Sequence, residues 1–337
     1  MVQQTSSDEA MRNVFPWSHS SQKGSLKMNA ADAPLQPAAA HQSGLAGLLA
    51  RHPLVFYFLI AYAGTWLVTV PLALSANGVG LLPFGIPEGS VFFVSAAWVF
   101  LGPTLAAFIM TGTTEGKVGT RHLLHRYVLW RVGLQWYLVI LIGPPVIILL
   151  GTIVLPGALA SFQTLASLNP LLLLISFPLV LIFGGPLFEE GGWRGFALPR
   201  LQRLHGPFVG TLIFGILWAC WHLPLFWITV WGTPPTILNM VLYIPSVIFM
   251  TIVYTWVFNN TKGSVFIAVL LHATFNWTTV AVGPLFPAPI IEDYGLLTIL
   301  GGFGAFAVVL VALTRGRLGY QHYQQEEEEP ATATVPT

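Results

Sequence analysis

The chain has 337 residues, of which 55% are apolar and only 8% are charged. A soluble domain carries about a quarter charged residues, so a fold this apolar needs lipid around much of its surface, and an ordinary soluble enzyme is excluded. Fourteen Lys and Arg nearly balance thirteen Asp and Glu. Without a basic excess we expect no nucleic-acid partner. The single cysteine, Cys220, excludes an intrachain disulfide framework and a four-cysteine zinc site.

Both ends of the chain differ in composition from its middle. Residues 1–53 are rich in Ser, Gln, Ala and Pro and contain no apolar run long enough for a signal peptide. We therefore expect a disordered cytoplasmic tail there. An acidic cytoplasmic tail is predicted over 315–337, where Glu326 to Glu329 form a charged run. The predicted membrane domain between them covers 54–314.

Eight apolar runs in this middle region approach the ~20 residues that a helix needs to cross a bilayer. Backbone groups in lipid must be hydrogen-bonded internally, and the runs lack the alternation of a barrel, so each is predicted to be a helix. We expect an all-α, polytopic membrane protein, located in the cell membrane if the source is prokaryotic. The predicted spans are 54–74, 91–112, 134–155, 171–197, 208–230, 240–258, 264–281 and 295–313.

The distribution of basic residues predicts the orientation of these spans. Lys and Arg are retained on the cytoplasmic side of a membrane protein. With eight spans, thirteen fall on one side and the fourteenth, Arg194, lies near the same end of span four, whereas the opposite loops (75–90, 156–170, 231–239 and 282–294) carry none. Both termini are therefore predicted to be cytoplasmic.

Polar side chains inside the predicted spans are the candidates for function. An ionisable group at the bilayer centre costs at least about 2.5–3.5 kcal/mol on insertion scales, so its presence needs a reason. Five such groups and one amide lie on three spans: Glu189, Glu190 and Arg194 in span four, His222 in span five, and His272 with Asn276 in span seven. At a rise of 1.5 Å per residue, Glu189, His222, His272 and Asn276 could share one layer.

Helical spacing predicts which of these groups share a face. Glu190 and Arg194 are four residues apart and can form an ion pair. Glu189 is rotated by about 100° from Glu190, and no basic side chain is available on its own face. His272 and Asn276 are also four apart, so both are expected to project toward one point. The two carboxylates therefore need different roles.

This set of groups is suited to hydrolysis. A carboxylate held away from bulk water can act as a general base, and imidazole or amide donors can stabilise an oxyanion. Water attack on an acyl group is the simplest interpretation. Two other interpretations stay open: Glu190 with Arg194 could be only a structural ion pair, and the cluster could serve a nonenzymatic scaffold or a small-solute transporter.

Three motifs in this region are similar to those of the CPBP family, which contains CAAX-type prenyl endopeptidases and bacteriocin-processing intramembrane proteases. Glu189, Glu190 and Arg194 match its EExxxR motif, and His272 with Asn276 matches HxxxN. Trp218 with His222 resembles FxxxH, with Trp where the family usually has Phe. The resemblance covers about 100 residues, within a predicted protease core of about 171–281.

The resemblance implies an intramembrane endopeptidase whose partners are membrane lipid and a membrane-anchored protein or peptide, such as a CAAX-type prenylated one. It implies that Glu189 activates the hydrolytic water and that Glu190 with Arg194 orders the helix and assists. His222, His272 and Asn276 would then position the water and stabilise the oxyanion. No cofactor is favoured, because Asn is a poor zinc ligand; if Zn²⁺ is present, its expected ligands are Glu189, His222 and His272.

Overall fold

The computed structural model describes residues 44–228, 231–286 and 288–325, and every regular element in these ranges is helical. Short π-helical turns join α3 to α4 and α9 to α10, and 3-10 turns follow α11 and α13. The described α-helices are α1 Leu45–Arg51, α2 Pro53–Leu74, α3 Glu88–Val99, α4 Leu105–Thr114, α5 Gly116–Tyr127, α6 Leu134–Ile153, α7 Ala158–Ser161, α8 Pro170–Phe183, α9 Pro186–Gly192, α10 Leu198–His205, α11 Pro207–Trp221, α12 Ile237–Asn260, α13 Val265–Val282 and α14 Ala288–Thr314.

Eight of the described helical segments are long and apolar enough to cross a membrane, which confirms the all-α, polytopic prediction. The chain is an integral, multi-pass membrane protein. Each observed span overlaps one predicted span, with ends that differ by a few residues in most cases. The observed spans are Pro53–Leu74, Ala97–Thr114, Leu134–Ile153, Pro170–His205, Pro207–Trp227, Ile237–Asn260, Val265–Leu285 and Tyr294–Thr314.

Several spans begin at side chains that cap the helix. The Asn169 side chain accepts hydrogen bonds from the backbone N–H groups of Leu171 and Leu172 at the start of α8. Thr236 caps α12 in the same way, and Ser264 caps α13. These oxygens satisfy N–H groups that have no partner within the helix. The start of a span is therefore readable from the residue that precedes its apolar run.

The fourth span is not the single helix over 171–197 that the sequence predicts. It breaks after Phe183, resumes as α9, passes through the π turn Trp193–Ala197 and continues as α10 to His205. Gly185 has φ 102°, a conformation that favours glycine, and Pro186 begins the next helix, where a missing N–H costs nothing. The break places Glu189 and Glu190 on a short helical segment of their own.

The helices form a bundle whose interior holds the polar residues. Helix α12 packs against α11 and α14, and α6 packs against α13 and α14. No residue of α8 is buried, and its Leu171, Leu172 and Leu174 are exposed, as expected for a helix facing lipid. In contrast to α8, the ionisable groups of α9, of the end of α11 and of α13 are buried inside the protein.

The structure describes part of each predicted tail. Residues 1–43 lie outside the described residues, but α1 is a helix within the segment predicted to be disordered. At the other end, Leu318 and Tyr323 are buried within the segment predicted as an acidic tail. Tyr323 accepts a hydrogen bond of 2.6 Å from Arg126. The acidic run Glu326 to Glu329 lies outside the described residues.

Candidate active site

The three spans that carry polar groups meet in the interior of the bundle. Helix α9 supplies Glu189 and Glu190, the π turn supplies Arg194, the end of α11 supplies His222, and α13 supplies His272 and Asn276. Glu190 and Arg194 are 0% exposed, and Glu189, His272 and His222 are 5%, 4% and 8% exposed. Asn276 is partly exposed. Ionisable groups buried this close together must pair or form hydrogen bonds with one another.

Glu190 is the most heavily bonded of these groups. Arg194 Nη1 lies 2.6 Å from its Oε1 and 2.5 Å from its Oε2. His272 Nδ1 lies 2.8 Å from the same Oε1. The ion pair predicted from the spacing of Glu190 and Arg194 is therefore present, and His272 is an additional member that the sequence did not indicate.

An aromatic enclosure surrounds the Arg194 guanidinium. Its Cζ lies 4.7 Å from the ring centre of Tyr254, 4.8 Å from that of Trp218 and 5.5 Å from that of Phe214. Its Nε and Nη2 have no hydrogen-bond partner in the part of the chain that the structure describes. The faces of aromatic rings stabilise a cation that has lost water. Tyr254 and Phe214 are site components that sequence motifs alone did not reveal.

Glu189 has a different environment from its neighbour. The indole N–H of Trp218 donates to its Oε2 at 3.1 Å. None of the ion pairs found among the described residues includes Glu189. Gly185 lies beside its other oxygen, since a Cβ built at that glycine would be 2.4 Å from Oε1. Glu189 is thus buried and held by one neutral donor.

The two histidines have defined hydrogen-bond partners on one ring nitrogen each. His222 Nδ1 lies 2.8 Å from the carbonyl oxygen of Trp218. Because a carbonyl oxygen can only accept, Nδ1 of His222 carries a hydrogen, and the same reasoning applies to His272 opposite an ionised Glu190. The Trp218 ring contacts both imidazoles edge to face, with ring centres 5.6 Å from that of His222 and 5.5 Å from that of His272.

Asn276 and His272 do not share a target, contrary to the expectation from their spacing. The Asn276 Nδ2 donates to the carbonyl of Gly184 at 3.2 Å, whereas His272 contacts Glu190. Asn276 therefore connects α13 to the break between α8 and α9. An unpaired backbone carbonyl at such a break needs a donor in a membrane interior.

The residues do not form a metal site of the kind considered from the sequence. Among the described residues, no three His, Cys, Asp or Glu side chains are grouped so as to hold a metal ion. In the set Glu189, His222 and His272, the Nδ1 atom of each imidazole is bonded to a protein oxygen, which leaves the Nε2 atom of each ring open.

Tyr127, the last residue of α5, contacts α9 close to the two carboxylates. Tyr127 donates to the carbonyl of Leu187 at 3.3 Å. Burial, with a smaller contribution from the charge of Glu190, raises the pKa of Tyr127 to about 12. Its hydroxyl therefore stays protonated at neutral pH and remains a donor.

The fold and this buried cluster define a polytopic membrane protein with an intramembrane polar centre, and comparisons identify its relatives. Residues 169–278 match the family described as "Type II CAAX prenyl endopeptidase Rce1-like". The chain is also 31% identical over 109 residues to "CAAX prenyl protease 2" of Methanococcus maripaludis, in a match that covers 29% of this chain and 38% of that relative. Both matches confirm the resemblance to the CPBP family. Neither favours a scaffold or a transporter.

Proposed function

We propose that the protein is an intramembrane endopeptidase that hydrolyses a peptide bond of a membrane-anchored substrate, with Glu189 as general base. The observation that carries the proposal is the contrast between two adjacent buried carboxylates. Glu190 is bonded to both Arg194 and His272, whereas Glu189 accepts one indole N–H. A carboxylate held in an ion pair has little freedom to exchange a proton, so Glu189 is the available base.

The reaction that fits these groups uses water as the nucleophile. Glu189 takes a proton from water while the water oxygen bonds to the scissile carbonyl carbon, and the C–N bond then breaks. The proton held by Glu189 goes to the leaving amine, so the carboxylate is regenerated. With Nδ1 of His222 donating to Trp218, its Nε2 can accept a hydrogen bond from the attacking water.

Arg194 and His272 act on this site through Glu190. Together they hold the carboxylate of Glu190 still, and that carboxylate fixes the orientation of α9, on which Glu189 lies. Asn276 fixes the chain break that precedes α9. We assign the oxyanion to the second N–H of the Asn276 amide and to Nε2 of His272, which donates when this imidazole carries hydrogens on both ring nitrogens.

The relatives suggest the substrate to test first. The matched relative is a CAAX prenyl protease by its description, so we propose a prenylated peptide with a C-terminal CAAX sequence as the probe. The same peptide without the prenyl group is its control. The site requires a substrate that reaches the interior of the bundle, which favours the lipid-anchored form.

The decisive experiment compares wild type and Glu189→Gln in proteoliposomes with these two peptides. We expect cleavage by the variant to fall by about 10²- to 10⁴-fold, the range for loss of a general base, with an unchanged melting temperature. Product formation at the wild-type rate in Glu189→Gln contradicts the proposal. The same assay with a chelator should show unaltered turnover; loss of activity that zinc restores would contradict the metal-free mechanism.

A further inference from the structure

We propose that Trp218 is a positioning residue that selects which oxygen of Glu189 acts as the base. This inference rests on the proposed function. Trp218 is 1% exposed in α11, and its indole N–H donates to Glu189 Oε2 at 3.1 Å. Its carbonyl accepts the Nδ1 hydrogen of His222. One residue therefore orients both the base and an imidazole beside it.

The hydrogen bond from Trp218 makes the two oxygens of the Glu189 carboxylate inequivalent. The two oxygens of a free glutamate are equivalent, and rotation of the group exchanges them. A donor held on Oε2 leaves Oε1 as the oxygen that takes the proton. Gly185 leaves room for Oε1, because a Cβ at that position would lie 2.4 Å from this oxygen. A donor on one oxygen and a glycine beside the other thus define one orientation.

Other tryptophans of this region show that burial alone does not create such a bond. The indole nitrogens of Trp193 and Trp221 are also buried, and neither has a hydrogen-bond partner among the described residues. Trp193 packs edge-on against Tyr57 and Trp221. These rings fill space, whereas Trp218 both fills space and donates to a carboxylate.

The test compares Trp218→Phe with Trp193→Phe, which removes an indole N–H that has no partner. We expect Trp218→Phe to lower kcat about 10-fold, the equivalent of about 1.4 kcal/mol, with KM within about twofold of wild type, as for loss of a bond that positions the base. Its melting temperature should match that of Trp193→Phe. Equal kcat in the two variants overturns the proposal, as does a loss of kcat accompanied by parallel changes in KM and melting temperature.

A second measurement keeps the inference testable if Trp218→Phe does not fold. The chain has 12 tryptophans, and ¹⁵N labelling resolves their indole N–H signals. In Glu189→Gln we expect one of these signals to shift strongly, because its acceptor changes from a charged to a neutral oxygen. Spectra without such a shift contradict the contact. If Glu189→Gln cleaves normally, the proposed function fails; if it is inactive while Trp218→Phe behaves as Trp193→Phe, only this inference fails.

Discussion

Glu189 and Glu190 are neighbours in the chain, yet the bundle gives them opposite surroundings. Successive residues of a helix point about 100° apart. Glu190 therefore faces Arg194 and His272, whereas Glu189 faces Trp218. The need for different roles follows from helix geometry and was predicted. Arg194 was predicted as the partner of Glu190, whereas His272 and the indole of Trp218 were not predicted as partners of these carboxylates.

At the residue scale, the buried ion pair makes a testable difference to stability. Glu190→Gln leaves the fully buried Arg194 without its counter-charge, and we expect a loss of about 3–5 kcal/mol in the free energy of unfolding. The matched control is Glu115→Gln, because Glu115 pairs with Arg200 but is 44% exposed. For this pair, whose carboxylate is exposed to solvent, we expect a loss below about 1 kcal/mol.

The measurement is reversible unfolding by SDS in mixed micelles. A loss for Glu190→Gln no larger than that for Glu115→Gln would show that the aromatic rings around Arg194 stabilise its charge without the carboxylate. The outcome bears on the mechanism, because Glu190 is assigned the role of holding α9 in place.

At the scale of elements, the site depends on the irregular fourth span. A regular helix over 171–197 would have no free carbonyl at Gly184 for Asn276 to bind. The break at Gly184 and Gly185 and the π turn after Gly192 set the direction of the three charged side chains. Gly-Gly-Pro in an apolar run is a visible signal for such a break, and the predicted continuous span did not use it.

Close helix packing at Gly192 provides the second stability prediction. A Cβ at Gly192 would lie 2.3 Å from the carbonyl oxygen of Pro103, in the π turn between α3 and α4. Because backbone cannot move aside as a side chain can, we expect Gly192→Ala to destabilise the protein by about 1–3 kcal/mol and to lower activity. Gly301→Ala in α14 is the control, since its Cβ would meet nothing within 4 Å.

For Gly301→Ala we expect no loss, or a gain of up to about 1 kcal/mol from helix propensity. Melting temperatures of both variants in one detergent test the comparison. Equal melting temperatures for the two variants would mean that α9 can move away from the π turn Phe100–Thr104 without a loss of stability. The argument for a rigidly placed Glu189 would then fail.

At the scale of the whole molecule, orientation in the membrane is the main prediction still to be tested. We propose that both termini are cytoplasmic, because the predicted loops on the opposite side of the eight spans contain no Lys or Arg. The one cysteine of the chain, Cys220, can be replaced by Ser to give a background free of thiols.

Single cysteines then report the side of each loop. Leu165 lies in a loop predicted to face outward and is 69% exposed, and Lys117 lies in an exposed position of α5. A thiol reagent that does not cross the membrane should label Leu165→Cys in intact cells and Lys117→Cys only after permeabilisation. The reverse pattern would contradict the orientation.

The sequence by itself determined the class of protein, the number of spans and the six polar residues of the candidate site. Apolar run length, cap residues and the avoidance of charge are local properties, and lipid penalises any departure from them. Only the tertiary structure decided how those residues are partnered. Glu190 meets a histidine 82 positions away, and Glu189 meets an indole 29 positions away. Such contacts arise from how separate helices pack, which no local pattern encodes.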